Sequence, residues 1–339
     1  MPFINEILKY DSLSIVGLGK NVGKTECLNY ILFRLPLQDK RVAVTSIGID
    51  GENEDRVTAT KKPEIYLREG VFFSTSETYY KRKKLVSELV DITNERSSLG
   101  RVVTGKVRIG GKVILSGPSG NSALNRWIAS VRALGADITI IDGAISRLSP
   151  ASPAISRAMI LSTGAALSSN MNTLVRRTKY AVELIDLPLA GEPVCKVLEP
   201  LESGVWGVNS MWETVNFGIS SSLALSVTRF RIPDEMKYIY TAGALTDSFL
   251  KKVMDEAEAR EITLVVRDFT KVFIDELLYR NFLHRGGRIE VLQKSRLLAV
   301  CVNPVAPNGF ILDSDILCEK LQETIEFPVY DILKNGYDI

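Results

Sequence analysis

One histidine, His284, serves a chain of 339 residues. A Ser-His-Asp triad or a multi-histidine metal site would have to be built around it. Arg285 follows it and Gly286-Gly287 marks a turn, which is the setting of a surface residue. Histidine-based chemistry is therefore not expected. Cysteine is scarce and scattered: Cys27, Cys195, Cys301 and Cys318 form no CxxC pair. That spacing argues against a structural zinc site and for free thiols in a reducing, cytoplasmic setting. Long apolar runs are missing too, and none approaches the ~18 residues of a membrane span. The first ten residues carry Glu6 and Lys9 inside their apolar run and have no cleavage-like site. They do not read as a signal peptide. Neither sign of charge dominates, since 42 basic and 40 acidic side chains leave a formal net charge of +2. No nucleic-acid or membrane partner is implied. The one basic run, Lys81-Arg82-Lys83-Lys84, follows Tyr79-Tyr80 and reads as a solvated helix face. A nucleic-acid phosphate contact is its rival reading.

What is present is an ordinary globular composition, 45% apolar and 24% charged. Two domains are the natural expectation at this length. Leu13–Val16 reads as a buried strand. Leu28, Ile31, Leu32 and Leu35 mark one face of a helix over 25–35, which Pro36 stops. Val42–Ile49 is the next strand, and Val113–Leu115 another. A Gly117-Pro118-Ser119-Gly120 turn leads to a helix over 123–134. Ile138–Ile141 and Met159–Leu161 are strands, and a helix covers 174–185. Such alternation implies an α/β fold with a parallel sheet covered on both faces. The expected domains are a nucleotide-binding unit over 1–188 and a smaller α/β unit over 231–339. The first carries a β-rich insertion or edge element at 51–111, with strands at 65–67, 71–73 and 102–107. A Gly/Ser/Trp-rich bridge at 189–230 joins the two. In the second, strands are expected at 238–242, 263–266, 288–292 and 298–302, with a helix over 247–257.

The strongest chemical signal is Gly17-Leu18-Gly19-Lys20-Asn21-Val22-Gly23-Lys24-Thr25, set between a strand and an amphipathic helix. Glycines let backbone N–H groups approach phosphates, and the helix start adds partial positive charge. The expected binding set is Gly17, Gly19, Lys20, Asn21, Val22, Gly23, Lys24, Thr25 and Glu26, with ATP and Mg²⁺ as ligands. Lys24 reaches the β- and γ-phosphates and the Thr25 hydroxyl holds Mg²⁺. The common spacing, GxxxxGK[ST], would put glycine at Leu18; here Gly17 leaves a loop one residue longer. That spacing resembles the dethiobiotin synthetase and cobyrinic acid amidase branch of P-loop proteins. Ile138–Ile141 delivers Asp142 as a carboxylate for Mg²⁺. Asp50, with Glu52 and Asp55 beyond it, ends the second strand and is the candidate second metal or water-orienting group. A polar loop accounts for it equally well. Ser116–Asn121 reads as an anion cradle or an ordinary turn, and Thr163-Gly164 as a neighbour of the nucleotide base.

Beyond these motifs, a family resemblance runs from the loop to about Leu187 and continues less distinctly to the C-terminus. Thr45–Glu52, Lys62–Tyr66, Gly70–Phe73, Leu99–Val103, Gly117–Ser119 and Ile141–Ala144 are similar to the ATP-binding subunit of lysine 5,6-aminomutase reactivase. The resemblance implies an ATP-dependent factor that works with a MutS-like ATPase subunit. Together they would restore a lysine 5,6-aminomutase whose adenosylcobalamin is inactivated. A different class, an ATP-dependent ligase or small-molecule kinase, also suits the loop spacing. It calls for basic groups opposite the γ-phosphate, with Lys61 or Lys62 as candidates. An amidotransferase built on Cys301 and His284 lacks a recognisable motif, and a GTPase lacks an NKxD-like segment.

Overall fold

The computed structural model describes residues 3–47, 64–97, 99–143, 151–222, 231–257 and 261–334. In chain order its elements are α1 (Phe3–Ile7), β1 (Ser12–Gly17), α2 (Lys24–Arg34), β2 (Val42–Ser46), β3 (Ile65–Leu67), β4 (Phe72–Ser76) and α3 (Glu77–Arg82). A long hairpin, β5 (Lys84–Ser97) and β6 (Gly100–Val113), leads to α4 (Asn121–Ala133), β7 (Ile138–Asp142), β8 (Ala158–Gly164) and α5 (Met171–Ile185). Next come α6 (Glu192–Leu198), β9 (Val205–Asn209), β10 (Thr214–Asn216), β11 (Met236–Thr241), β12 (Leu245–Thr246) and α7 (Asp247–Ala257). Then follow β13 (Thr263–Val266), β14 (Val272–Phe273), α8 (Glu276–His284), β15 (Arg288–Val291), β16 (Arg296–Asn303), α9 (Ser314–Thr324) and β17 (Val329–Asp331).

The chain divides into two compact units, Met1–Lys179 with Ser295–Ile339, and Tyr180–Lys294. The first is an α/β layer built on one mixed, mostly parallel sheet, in the order β17-β16-β8-β1-β7-β2-β4-β6-β3, with β5 also paired to β6. The strands from β17 to β4 are parallel, and β6 runs against β3, β4 and β5. Both faces are covered. Leu28 and Ile31 of α2 pack with Leu13, Ile15, Val44 and Ile140. Leu124, Trp127 and Val131 of α4 pack with Ala43 and Ile141. Each such buried aliphatic contributes about 1.5–3 kcal/mol, so the central strands carry near-continuous apolar runs, as parallel strands do. The second unit has the sheet order β10-β9-β11-β13-β15, parallel from β11 to β15.

Several sequence expectations need correction. β16 pairs with β8 and β17 with β16, so the last part of the chain belongs to the first sheet and not to a C-terminal domain. A run such as Leu298–Val302 announces a buried strand but not which neighbour it will pair with. The bridge expected at 189–230 holds α6, β9 and β10, all in the second unit. Its glycines serve packing as well as turns: a Cβ on Gly207 would stand 2.6 Å from Met236 Sδ and from a Phe217 ring carbon. Of the two readings of the 51–111 segment, the edge holds where it is described: β4 joins the main sheet beside β2, and β6 and β3 extend it to its edge, so it is no separate insertion. β5 went unseen because repeated register shifts against β6 break its two-residue period. The strand expected over 113–115 is only the last residue of β6. The basic run is split, with Lys81 and Arg82 closing α3 and Lys84 opening β5, where it pairs with Glu64 at 2.9 Å.

Candidate functional site

The site grows from the C-terminal edge of β1. The chain leaves the strand at Gly17, and the Leu18 amide donates to the Ser162 carbonyl at 3.0 Å. The loop then uses two left-handed positions, Asn21 (φ 57°) and Gly23 (φ 91°). Asparagine and glycine tolerate that region. Gly23 occupies the N-cap of α2 with no side-chain cap, and its carbonyl accepts the Cys27 amide at 2.9 Å. The leading amides of a helix have no partner within it. Here a glycine gives them none from its own side chain.

Two glycines are required by space. A Cβ on Gly17 would stand 2.7 Å from Val22 Cγ2 and 2.9 Å from Lys24 Cγ. A Cβ on Gly23 would stand 2.7 Å from Asn303 Cβ. Gly19 is different, since a Cβ there meets Val22 and Leu167 at ordinary contact distances of 3.5 and 3.6 Å. Val22 is the loop's buried anchor, while Lys20 and Asn21 are exposed. Lys24, Thr25 and Glu26 form the half-buried first turn of α2.

Lys24 lies with its stem over Gly17. Burial pushes its ammonium below the usual lysine range, and the Asp142 carboxylate pulls it partly back up. The cation is thus drawn out of water toward an anion that only partly compensates it. Asp142 ends β7, in register with Ile15 of β1 on one side and Ser46 of β2 on the other. The strand pairing therefore brings together Gly17, Lys24 and Asp142, which the sequence placed in one site. Thr25 follows Lys24 directly in α2. Asp50, Glu52, Asp55, Lys61 and Lys62 lie outside the described residues. Among the described residues, no three His, Cys, Asp or Glu side chains converge as a metal cage. A metal held through Thr25 and Asp142 would need phosphate oxygens to complete its shell.

The other sequence candidates divide. Gly117 packs so tightly between β2 and β4 that a Cβ would stand 2.1 Å from Thr45 Oγ1 and 2.2 Å from the Ser46 carbonyl. Gly120 then begins α4 without a side-chain cap or an acidic residue in its first turn. Thr163 is spent internally, its hydroxyl 2.9 Å from that of Thr178. Cys301 is fully buried, its sulfur 3.6 Å from Cys27 Sγ, which with burial raises its thiol well above the usual range. It is no nucleophile. His284 is exposed in the last turn of α8.

Three residues at this edge escaped the sequence reading. Asn303, at the end of β16, walls Gly23, and its own carbonyl lies against Gly164. Ser46 and Ser162 have buried hydroxyls with no hydrogen-bond partner among the described residues. Position at a strand's carboxyl end was the available signal for all three, but the partners are distant in sequence. Among the described residues, no helix is long and apolar enough to cross a membrane. No protein-family model, no curated protein and no solved structure matches the chain.

Proposed function

We propose that the glycine-rich loop of the first unit binds Mg·ATP and that the chain is a P-loop ATPase. The observation that carries this is Lys24, first residue of an uncapped helix, desolvated over Gly17 and charge-coupled to Asp142. A half-buried cation that is only partly compensated is costly, and an anion in the loop would offset that cost. The residues fit the ligand. Backbone amides from Asn21 to Glu26 and the Lys24 ammonium would hold the phosphates, as helix starts and left-handed turns do. Thr25 and Asp142 would hold Mg²⁺, and Asp50 is the proposed second carboxylate. Magnesium supplies charge neutralisation on the phosphate chain. Lys24 and the α2 amides orient the chain, and Asp142 fixes the position of positive charge beside it. Calorimetric titration of the full chain with Mg·ATP tests the reading, and a folded protein without measurable affinity would reject it.

The biological task follows from the resemblance to the reactivase subunit. The reading is that ATP turnover, together with a MutS-like partner, opens a lysine 5,6-aminomutase and releases damaged cobalamin. A nucleotide shifts such an equilibrium only by its differential affinity for the two states, so cycling must supply the work. The second unit, 180–294, is the proposed docking part. Mutase turnover is measured after inactivation, with fresh cofactor, Mg²⁺ and the partner, with and without ATP. Recovery only with ATP supports the reading, and equal recovery without it rejects it.

One observation favours a second reading, an ATP-dependent ligase or small-molecule kinase. The start of α4 follows a Gly117 turn beside Thr45 and Ser46, has no side-chain cap and offers Asn121 and Ser122. An anionic acceptor would suit it. Product formation from ATP and a carboxylate substrate, with no mutase present, would select that reading.

A further inference from the structure

Two hydroxyls at the carboxyl edge of the first sheet have no hydrogen-bond partner among the described residues, and their positions relate them. Ser46 ends β2 level with Asp142, and Ser162 sits in β8 level with Gly17. Side chains alternate along a strand, so residues two apart share a face. Val42 and Val44 of β2, Ile138 and Ile140 of β7, Leu13 and Ile15 of β1, and Ala158 and Ile160 of β8 all belong to the core cluster that contains α2. Continuing each alternation puts Ser46, Asp142, Gly17 and Ser162 on that same face. They occupy two successive steps on that face of four adjacent strands: Ser46 and Asp142 are level with Ile15, and Gly17 and Ser162 lie one alternation further along. These positions lie under the side of the sheet that carries Lys24.

Ser46 is 6% exposed and Ser162 fully buried, and each Oγ lacks a hydrogen-bond partner among the described residues. A buried hydroxyl without a partner costs roughly 1–3 kcal/mol, and native proteins leave few. Nearby serines show the usual solution. Ser156 donates to Ser14 at 3.0 Å, Ser295 donates to the Ala151 carbonyl at 2.7 Å, and the Ser74 and Thr45 hydroxyls are hydrogen-bonded to each other at 2.5 Å. The exceptions are the two that flank Asp142 and Gly17.

We infer that Ser46 and Ser162 are ligand-directed hydroxyls that donate to the anionic oxygens, or to the metal-bound waters, of Mg·nucleotide in the glycine-rich loop. This rests on the nucleotide reading above and extends it to two residues outside the glycine-rich loop. Both oxygens are shut off from bulk water in the free protein. The cover seen over Gly17 is the Val22 and Lys24 side chains. A phosphate chain that draws the Lys24 ammonium onto itself shifts that cover and opens these positions. Hydroxyls left unsatisfied in the free protein then gain charged acceptors, which adds to the ligand's affinity and not to the stability of the empty fold.

The test uses Ser46→Ala and Ser162→Ala in the full chain, with melting temperature read without ligand and affinity for Mg·ATP read by calorimetry. The expected result is a melting temperature equal to or above that of the wild type, because each substitution removes an unpaired buried polar atom. Affinity is expected to fall about tenfold for each, the scale of a hydrogen bond to a charged group. Ser46→Thr, which keeps the hydroxyl, should restore most of it. A lower melting temperature with unchanged affinity means the hydroxyls are structural and overturns the inference. Wild-type binding with unchanged affinity in both alanine variants also overturns it, and leaves the nucleotide reading standing. If the wild type itself does not bind Mg·ATP, the nucleotide reading fails first and this inference falls with it.

Discussion

The two units start their helices in different ways. In the second, Thr246 accepts the Phe249 amide at α7, Asp268 accepts the Thr270 amide, and Asp275 accepts the Leu277 amide at α8. In the first, α2 and α4 begin at Gly23 and Gly120 with no side-chain cap. The omission is local, since Ser76, Asn170 and Asp313 cap α3, α5 and α9 of that same unit. In the second unit α6 also starts at a glycine, but Pro193 in its first turn removes one donor. A cap is worth about 1 kcal/mol, and leaving it out keeps helix amides available to something other than the chain. The difference teaches where ligands are to be sought. The second unit satisfies its strand-end helices internally, while the first leaves two of them open at the edge that also holds Lys24 and Asp142.

Lys24→Ala should break that contrast most sharply. Mg·ATP affinity should fall more than ~100-fold, or about 2.7 kcal/mol, while the fold is kept or slightly stabilised. The stability sign follows from linkage. Burial lowers the Lys24 pKa in the folded state, so the unfolded chain binds more protons between the two values. Stability therefore rises with pH through the alkaline window from the lowered folded pKa to the ordinary lysine value. The variant should lose that rise, which calorimetric melting across this range would reveal. Unchanged affinity in a folded variant would make the bare start of α2 no more a ligand site than the capped start of α7.

Asp142→Asn comes next. Nucleotide should remain bound, but turnover should drop by roughly two orders of magnitude, the scale of a lost charge partner for the metal. Steady-state phosphate release measures it, and wild-type turnover would reduce Asp142 to a turn residue. Lys24 would also lose the carboxylate that raises its pKa, so its alkaline window should widen downward. A titration that fails to move would separate the two groups.

A matched glycine pair gives a smaller effect. Gly23→Ala forces a left-handed residue against Asn303 and should destabilise the first unit by at least about 1–2 kcal/mol. Gly19→Ala should cost under about 0.5 kcal/mol, because its Cβ meets only ordinary contacts. Denaturant melts of both variants check the difference, and equal losses would mean the loop's glycines serve flexibility more than fit.

Much of the first sheet was legible because its strands are local apolar runs and its helices carry a clear 3.6-residue period. β13 and α7 match the expected spans, and β7 runs one residue beyond its expected end. The loop and Asp142 were legible because they stand at the ends of local apolar strands, and Lys24 because it opens the amphipathic helix that follows the loop. Asn303, Ser46 and Ser162 were not, since what distinguishes them is a neighbour supplied by another strand. The same limit hid the return of β16 to the first sheet. Strand existence is written locally, while strand order depends on packing between distant segments.

The smallest expected effect comes from the capped side of the comparison. Asp275 is exposed, accepts the Leu277 amide at 2.9 Å, and its own amide donates to Asp247 Oδ1 at 2.8 Å. Asp275→Ala removes the first contact and keeps the second, because the backbone donor remains. The loss should be about 1 kcal/mol, as for other N-caps, and should fall on the start of α8. Tyr180, whose phenol is raised chiefly by burial and secondarily by Tyr279, Asp275 and other nearby groups, should stay raised. Hydrogen exchange over 274–284 should show faster exchange in the first turn of α8, with Mg·ATP affinity unchanged. If affinity falls as well, the second unit contributes to nucleotide binding, and the contrast between closed and open helix starts no longer assigns the ligand to the first unit alone.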